Sequence, residues 1–332
     1  MKKVVKSLIY LVVVIFCASC TATPGSKPSA MGKAGELLIV MKEHHWQGAC
    51  GDSLRHYLSK PVRGLPMLEP MFTLSQTVEL TNFLQKFRNI LIVNIDAGLE
   101  TTKLGYKSDV YARYQLIFNI DAPSPDSVIA CMYRNRDLFI DRILTKDRDA
   151  IIEDCRKSVD PLIVDRLREK FQVNIIIPKS YSFTNVEDDN FVWIAREEGE
   201  RNWYILMWKE PYRRKGQLET DSLIFKMNAM TKKYVHGETP GSYMADEPMV
   251  IPAVKRFEKD GIYTVQINGL WQTEGGDFKG GPYVNHTIVD VKRGQLVTGI
   301  GFVFYPNREK RQMVRELEAI LYTMKPADVI EN

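Results

Sequence analysis

A glycine-rich segment in the C-terminal part of the chain has the most unusual combination of residue types. Residues 275–283 read GGDFKGGPY, Trp271 lies just before them, and Tyr283 ends them. Glycine lets a backbone approach a ligand closely or adopt a positive φ, and an aromatic ring can stack on a sugar or another flat apolar group. One interpretation is therefore a ligand loop, made of Trp271, Asp277, Gly280, Gly281 and Tyr283. The other is a tight, bulged connection between two strands.

Other side chains suited to catalysis or metal binding occur, but in no recognised spacing. Two of the histidines are adjacent, in the run Glu43-His44-His45, and could be considered as metal ligands. However, the chain has neither of the zinc-binding motifs HExxH and CxxC. No GxSxG or SxxK motif supplies a serine nucleophile. Acidic pairs such as Asp188-Asp189 lie in polar segments. A glycosidase needs two carboxylates from separate elements roughly 5–10 Å apart, which a sequence does not reveal. The sequence thus predicts no catalytic residue, no metal site and no cofactor.

Three Asp-Ser-apolar triplets place Ser53, Ser127 and Ser222 in similar local contexts. The triplets resemble an O-glycosylation sequon of bacterial envelope proteins. Each triplet also falls at a predicted helix start, where Asp and Ser stabilise unpaired backbone N–H groups. Capping alone explains the pattern, and glycosylation of these serines is an additional hypothesis.

The first twenty residues have the order of a secretory signal peptide. Three lysines are followed by an apolar run too short to span a bilayer, and then by Ala18-Ser19 and Cys20. A cysteine directly after small residues resembles the lipobox of bacterial lipoproteins. The usual leucine three places before the cysteine is here Cys17, which departs from that pattern. The resemblance implies that residues 1–19 are removed and that Cys20 carries a lipid anchor in the membrane.

Charge argues against nucleic acid as a partner. The formal net charge is +4, but three of the 45 Lys and Arg residues lie in the predicted signal peptide, which leaves 42 against 41 Asp and Glu. A nearly neutral protein has no overall attraction to nucleic acid. Residues 20–35 are small and polar, and we predict a flexible tether there. No acidic residue follows Cys20 directly, which favours the periplasmic face of the outer membrane.

Three cysteines remain for the folded part of the chain: Cys50, Cys131 and Cys155. An odd number does not form a disulfide framework. Either all three are buried free thiols, or Cys131 pairs with Cys155.

The pattern of apolar residues predicts an α+β fold with mainly antiparallel sheets covered by helices. Ser124 before Pro125 is typical of a helix start. Residues 203–208 are apolar at every position, which predicts a central strand covered on both faces. A helix over 308–324, with Asn307 as its cap, has a single continuous apolar face.

The order of these elements suggests two units. A strand-strand-helix succession occurs at 89–145 and again at 191–234, which suggests two related β-β-α halves. We place an N-terminal unit at 36–170 and a C-terminal unit at 171–332.

Several short segments resemble an uncharacterised family of Gram-negative bacterial envelope lipoproteins, catalogued only as a domain of unknown function. They include Gly64-Leu65-Pro66, Asn190-Phe191-Val192-Trp193, Gly241-Ser242-Tyr243-Met244, Gly269-Leu270-Trp271 and Gly280-Gly281-Pro282-Tyr283. The resemblance extends from about residue 36 to residue 325. It implies an envelope lipoprotein, and it implies no reaction because none is established for the family.

Together these features predict a non-catalytic binding or assembly module, anchored to the outer membrane through Cys20. Its expected partner is an envelope protein or a glycan. The alternative is a periplasmic glycan-directed hydrolase with dispersed carboxylates. A deep cleft with two facing carboxylates of perturbed pKa would favour the hydrolase, whereas a shallow groove or an aromatic patch would favour binding.

Overall fold

The computed structural model describes residues 27–276 and 278–329. Within these residues it has six α-helices and fifteen strands, so the α+β fold class is confirmed. Two predicted site residues, Cys20 and Asp277, lie outside the described residues. In the part of the chain that is described, no helix is long and apolar enough to cross a membrane.

The N-terminal sheet has five strands in the order β2-β1-β3-β5-β4. They are β1 (Glu36–Val40), β2 (Thr73–Thr77), β3 (Asn89–Ile95), β4 (Lys103–Ser108) and β5 (Leu116–Ala122). β1 pairs in parallel with β2 and β3, β3 pairs in parallel with β5, and β4 is antiparallel. This sheet therefore differs from the mainly antiparallel arrangement that the sequence predicts. Parallel neighbours need a crossover connection, and helices α1 (Glu43–Trp46) and α2 (Ala49–Leu58) lie between β1 and β2.

Helix α3 (Pro125–Arg156) packs on this sheet beside α2. It begins where the sequence predicts, because Ser124 Oγ accepts a hydrogen bond from the Ser127 backbone N–H (3.3 Å). Helix α4 (Pro161–Phe171) follows, and the Asp160 carboxylate caps it by accepting the Leu162 N–H (2.9 Å). The sequence locates the start of α3 correctly because the capping residue Ser124 is a local signal.

The C-terminal sheet is antiparallel throughout, as predicted. The short strand β6 (Val173–Asn174) precedes it and pairs with the last strand of the chain. The eight strands of the C-terminal sheet are β7 (Ser182–Asp188), β8 (Phe191–Glu198), β9 (Arg201–Pro211), β10 (Tyr243–Asp246), β11 (Ala253–Lys259), β12 (Ile262–Glu274), β13 (Gly280–Asp290) and β14 (Gln295–Phe304). The order is β10-β12-β13-β14-β9-β8-β7, with β11 also paired to β12, and the last strand is β15 (Lys325–Pro326).

Strand β9 lies in the middle of this sheet, as its uniformly apolar sequence predicts. Trp203, Ile205 and Met207 face a core shared with α4 and with α6 (Arg311–Tyr322). Leu206 and Trp208 face a second core on the opposite side, which α5 (Thr220–Tyr234) covers in part. Aromatic side chains continue along this second face beyond the end of α5.

Two predictions about organisation are wrong. The N-terminal sheet is largely parallel and the C-terminal sheet is antiparallel, so the chain does not consist of two related β-β-α halves. The tether does not extend to residue 35, because the Ala30 N–H donates to Arg113 O (3.0 Å) and the Arg88 N–H donates to Met31 O (2.7 Å). The three cysteines of the folded part are free, buried thiols.

Candidate functional site

The glycine-rich segment connects β12 to β13 as a hairpin. Gly275 has a φ of 88° and Gly276 a φ of 138°, a backbone conformation that side-chain-bearing residues rarely adopt. Trp271 lies opposite Gly281 in the ladder. The tight-connection interpretation therefore accounts for the first two glycines.

Gly281 makes room for the core below the hairpin. A Cβ atom at this position would lie 2.2 Å from Val303 O and 2.9 Å from Trp271 Nε1. Trp271 itself is 7 % exposed, and its Nε1 donates to Val303 O (3.2 Å). The predicted ligand residue Trp271 is thus held in place by the sheet, with only part of its ring available to a ligand.

Tyr283 is a buried residue that supports the hairpin. Its hydroxyl donates a hydrogen bond to Asp246 Oδ1 (2.6 Å). Burial, reinforced by Asp246, holds the pKa of Tyr283 far above its usual value, and burial also raises the pKa of Asp246. A side chain at Gly269 would come within 2.7 Å of the tyrosine ring, so this glycine is needed for Tyr283 to fit. Tyr283 contacts the core and does not reach the surface.

A pocket of about 220 Å³ opens beside the hairpin, on the face of the C-terminal sheet that α5 leaves uncovered. We call it the aromatic pocket. Five aromatic side chains line it: Trp193, Tyr204, Trp271, Phe302 and Phe304. They come from strands β8, β9, β12 and β14, whose positions facing this side carry aromatic residues.

The rings of the aromatic pocket contact one another in a continuous series. Trp193 meets Tyr204 edge-on, with centroids 5.8 Å apart, and Tyr204 stacks on Phe302 at 4.8 Å. Trp271 meets Phe302 edge-on at 5.6 Å. Because each ring is fixed by its neighbours, the exposed parts form a rigid apolar floor.

Polar groups surround this floor. Lys279 Nζ lies 2.5 Å from Glu238 Oε1 and 5.7 Å from the centre of the Phe304 ring. His236 completes the rim from the segment that follows α5. Trp193 Nε1 is a buried donor that has no hydrogen-bond partner among the described residues. An apolar floor with hydrogen-bonding groups at its edge is suited to a sugar ring, which has apolar C–H faces and hydroxyl groups at its periphery.

The remaining predicted residues lie elsewhere. Ser127 and Ser222 lie in the first turns of α3 and α5, and Ser222 is the most exposed of the three serines. Ser53 lies beyond the first turn of α2, because that helix already begins at Ala49 and not at the expected Asp52. His44 and His45 adjoin each other in α1 with ring centres 4.0 Å apart. Over residues 27–276 and 278–329 no group of three His, Cys, Asp or Glu side chains could hold a metal ion.

Sequence reasoning missed most of the aromatic pocket. Trp193, Tyr204, Phe302 and Phe304 were recognisable only as apolar residues of strands. The available signal was that β9 carries aromatic residues on both faces, although a single helix, α5, follows it in the sequence to cover the second face. Which strands are neighbours decides where these rings meet, and a single sequence does not give that order.

Two family models match nearly all of the described chain. Residues 160–323 match a model described as Domain of unknown function (DUF4837), and residues 30–156 match one described as Domain of unknown function (DUF8532). Both models describe domains of unknown function, and together they cover nearly all of the described residues. The resemblance found in the sequence is confirmed to that extent. No curated protein matches the chain.

Two solved structures match about half of this chain at low sequence identity. The cyanobacterial PsbP protein (CyanoP) of Synechocystis sp. PCC 6803 is 12% identical, and the match covers 47% of this chain and 86% of that one with a TM-score of 0.33. The Ran-binding protein Mog1p of Saccharomyces cerevisiae is 9% identical, covering 47% of this chain and 91% of its own with a TM-score of 0.34.

Proposed function

We propose that the protein is a lipid-anchored envelope protein that binds a neutral glycan in the aromatic pocket without cleaving it. The anchor part of the proposal rests on Cys20, which follows Ala18-Ser19 at the end of a signal-peptide pattern. The lipid would hold the protein at the periplasmic face of the outer membrane. The binding part rests on the geometry beside the hairpin.

The observation that carries the binding proposal is the aromatic floor beneath a charged rim, in which half-buried Trp193, Tyr204 and Phe304 rest against the buried rings of Trp271 and Phe302. Sugar C–H groups pack on aromatic faces, and sugar hydroxyls exchange hydrogen bonds with side chains such as Lys279 and Glu238. Ligand pockets for drug-sized molecules usually measure roughly 300–1,000 Å³. A volume of about 220 Å³ is smaller, and it suits one ring of a glycan whose remainder stays outside.

The same pocket supports binding better than hydrolysis. Glu238 is the one carboxylate among the described residues that line it, and its Oε1 forms an ion pair with Lys279. Glycoside hydrolysis usually requires a second carboxylate facing the first across the scissile bond. Asp246 has a raised pKa, but it accepts the hydrogen bond of buried Tyr283 and does not line the pocket. The hydrolase alternative therefore gains no support here.

A glycan screen tests this proposal. The mature protein is titrated with neutral envelope oligosaccharides while tryptophan fluorescence is recorded, since Trp193 and Trp271 both line the pocket. We expect saturable changes with at least one oligosaccharide and no release of reducing ends. If all sugars leave the fluorescence unchanged at millimolar concentration, the binding proposal is wrong. If reducing ends accumulate, the non-catalytic assignment is wrong.

A further inference from the structure

A second cavity lies where the N-terminal unit meets the C-terminal sheet. It measures about 460 Å³, and its walls come from the segment after α2, from α3, from β11 and β12, and from α6. The segment after α2 reaches the sheet closely, because a Cβ atom at Gly64 would lie 3.4 Å from the backbone of Asn268. We call this cavity the basic cleft. None of its described lining residues belongs to the aromatic pocket.

The charge of the basic cleft is strongly unbalanced. Its lining includes six cationic side chains: Lys60, Arg63, Arg136, Lys255, Arg311 and Arg315. One acidic side chain lines it, that of Glu318, which accepts hydrogen bonds from Asn268 Nδ2 and Gln266 Nε2. Grouping like charges around a cavity is unfavourable without a counter-charge, whereas the protein as a whole is nearly neutral.

Two arginines form the inner part of the basic cleft and are largely buried. Arg311 is 8 % exposed and donates to Pro70 O and to Thr73 Oγ1 (3.0 Å). Arg315 is 9 % exposed and donates to Met71 O (2.7 Å). Arg311 Nε and Arg315 Nη1 have no hydrogen-bond partner among the described residues. Burial is the main cause that lowers the pKa of Arg315, and the neighbouring Arg311 lowers it further. The carboxylates of Asp147, Glu318 and Glu69 act in the opposite direction.

At the mouth of the basic cleft the cations are accessible. Arg63 and Lys255 are exposed, and neither forms an ion pair within residues 27–276 and 278–329. They come from the two sides of the cleft, the segment after α2 and strand β11. An anion between them would be contacted from both units of the protein.

We propose that the basic cleft binds a ligand bearing an oxyanion, either a phosphate or a carboxylate, with Arg63 and Lys255 at its mouth and Arg311 and Arg315 at its base. Guanidinium and ammonium groups are the usual partners of such anions. The cleft adjoins a larger cavity of about 600 Å³ and shares Arg315, Lys255 and Glu318 with it, so a ligand of more than one ring has room. This site is independent of the proposed glycan pocket.

Calorimetric titration of the full mature protein with three probes tests this proposal: glucose 1-phosphate, glucuronate and glucose. We expect binding of one or both charged sugars, no binding of glucose in the cleft, and an affinity that falls as salt is added. Binding of glucose 1-phosphate alone identifies phosphate, and binding of glucuronate alone identifies carboxylate. Absence of binding by both charged probes at 10 mM would overturn the proposal.

A pair of matched double variants locates the site. Arg63→Gln with Lys255→Gln removes two exposed cations of the mouth, and we expect at least a tenfold loss of affinity for the charged probe. Lys103→Gln with Lys107→Gln removes two exposed cations of β4, outside the cleft, and we expect less than a twofold change. Equal losses of affinity in both double variants would show non-specific charge attraction and would overturn the proposal. Unchanged affinity in the Arg63→Gln, Lys255→Gln variant would also overturn it.

Discussion

The carboxylate of Glu69 accepts a hydrogen bond from the backbone N–H of Arg311, 242 residues later in the chain (2.8 Å). Its other oxygen accepts the Lys310 N–H (2.7 Å). Glu69 is only 3 % exposed. A side chain of the N-terminal unit therefore caps the first turn of α6, where unpaired N–H groups and the helix dipole favour a negative charge. This contact fixes α6 relative to the walls of the basic cleft.

Replacing Glu69 should weaken the whole fold. Glu69→Ala leaves two buried N–H groups without partners, and we expect the free energy of unfolding to fall by about 1–3 kcal/mol. Urea denaturation followed by circular dichroism measures the change. Glu79→Ala is the matched control, because Glu79 is exposed in a loop and should change stability by less than about 0.5 kcal/mol. Equal effects of the two substitutions would contradict the capping role of Glu69.

Features that depend on neighbouring residues in the sequence were predictable. The Ser124 cap and the central position of β9 both follow from local composition. The last helix was predicted too early, at 308, because Asn307 resembles a cap. Asn307 instead adopts a positive φ of 56°, and α6 begins at Arg311 with a cap supplied by a distant residue.

Features that depend on contacts between distant segments were not predictable. Strand β4 is mostly exposed and polar, so its apolar pattern is too weak to recognise. The parallel pairing of β3 with β5 is set by packing under α3 and not by either strand's sequence. The aromatic pocket depends on strand order, and the basic cleft depends on how two units meet. Neither the strand order nor the contact between the two units can be read from residues that are neighbours in the sequence.

His286 should make stability depend on pH. This histidine is fully buried, and its ring contacts the rings of Phe257 and Tyr322. Burial lowers its pKa to about 3, and the positive charges of Lys259 and Arg148 act in the same direction.

The folded state therefore resists protonation of His286, whereas the unfolded chain takes up the proton near pH 6.5. Stability from this group is complete above pH 6.5 and falls by up to about 1.4 kcal/mol per unit as the pH drops toward 3. His286→Gln removes the titrating group, so its free energy of unfolding should lack this pH dependence. The difference in the free energy of unfolding between wild type and variant should therefore vary with pH. A difference that stays constant from pH 7 to pH 4 would contradict the assignment.

Two glycines in strands should respond in opposite ways to the same substitution. Gly281→Ala places a Cβ atom 2.2 Å from the Val303 carbonyl oxygen, so we expect a loss of about 1–3 kcal/mol. Gly105→Ala meets no atom within 4 Å and has an ordinary strand backbone, so stability should stay equal or rise by about 0.5–1 kcal/mol. Thermal unfolding compares them directly. Similar melting temperatures for the two variants would show that the hairpin adapts to a side chain.

Cys20 should determine where the protein is found. Cys20→Ala removes the thiol that would carry the lipid, so the protein should leave the membrane fraction of the native host and its acyl mass should be lost. Ser19→Ala keeps a small residue before the cysteine and serves as the control that stays membrane-bound. A Cys20→Ala protein that remains fully in the membrane fraction would contradict the anchor.

The most direct test of glycan binding is calorimetry on variants of Tyr204, whose half-buried ring stacks on Phe302 in the aromatic pocket. Tyr204→Ala removes the ring, and Tyr204→Phe keeps the ring but loses the hydroxyl that donates to Glu197 Oε1 (3.0 Å). Tyr263→Ala removes a more exposed tyrosine outside the pocket. With the best oligosaccharide from the screen, we predict a five- to tenfold weaker affinity for Tyr204→Ala, about 1–1.4 kcal/mol, and near-native affinity for the other two. Native affinity in a folded Tyr204→Ala protein would contradict binding in this pocket.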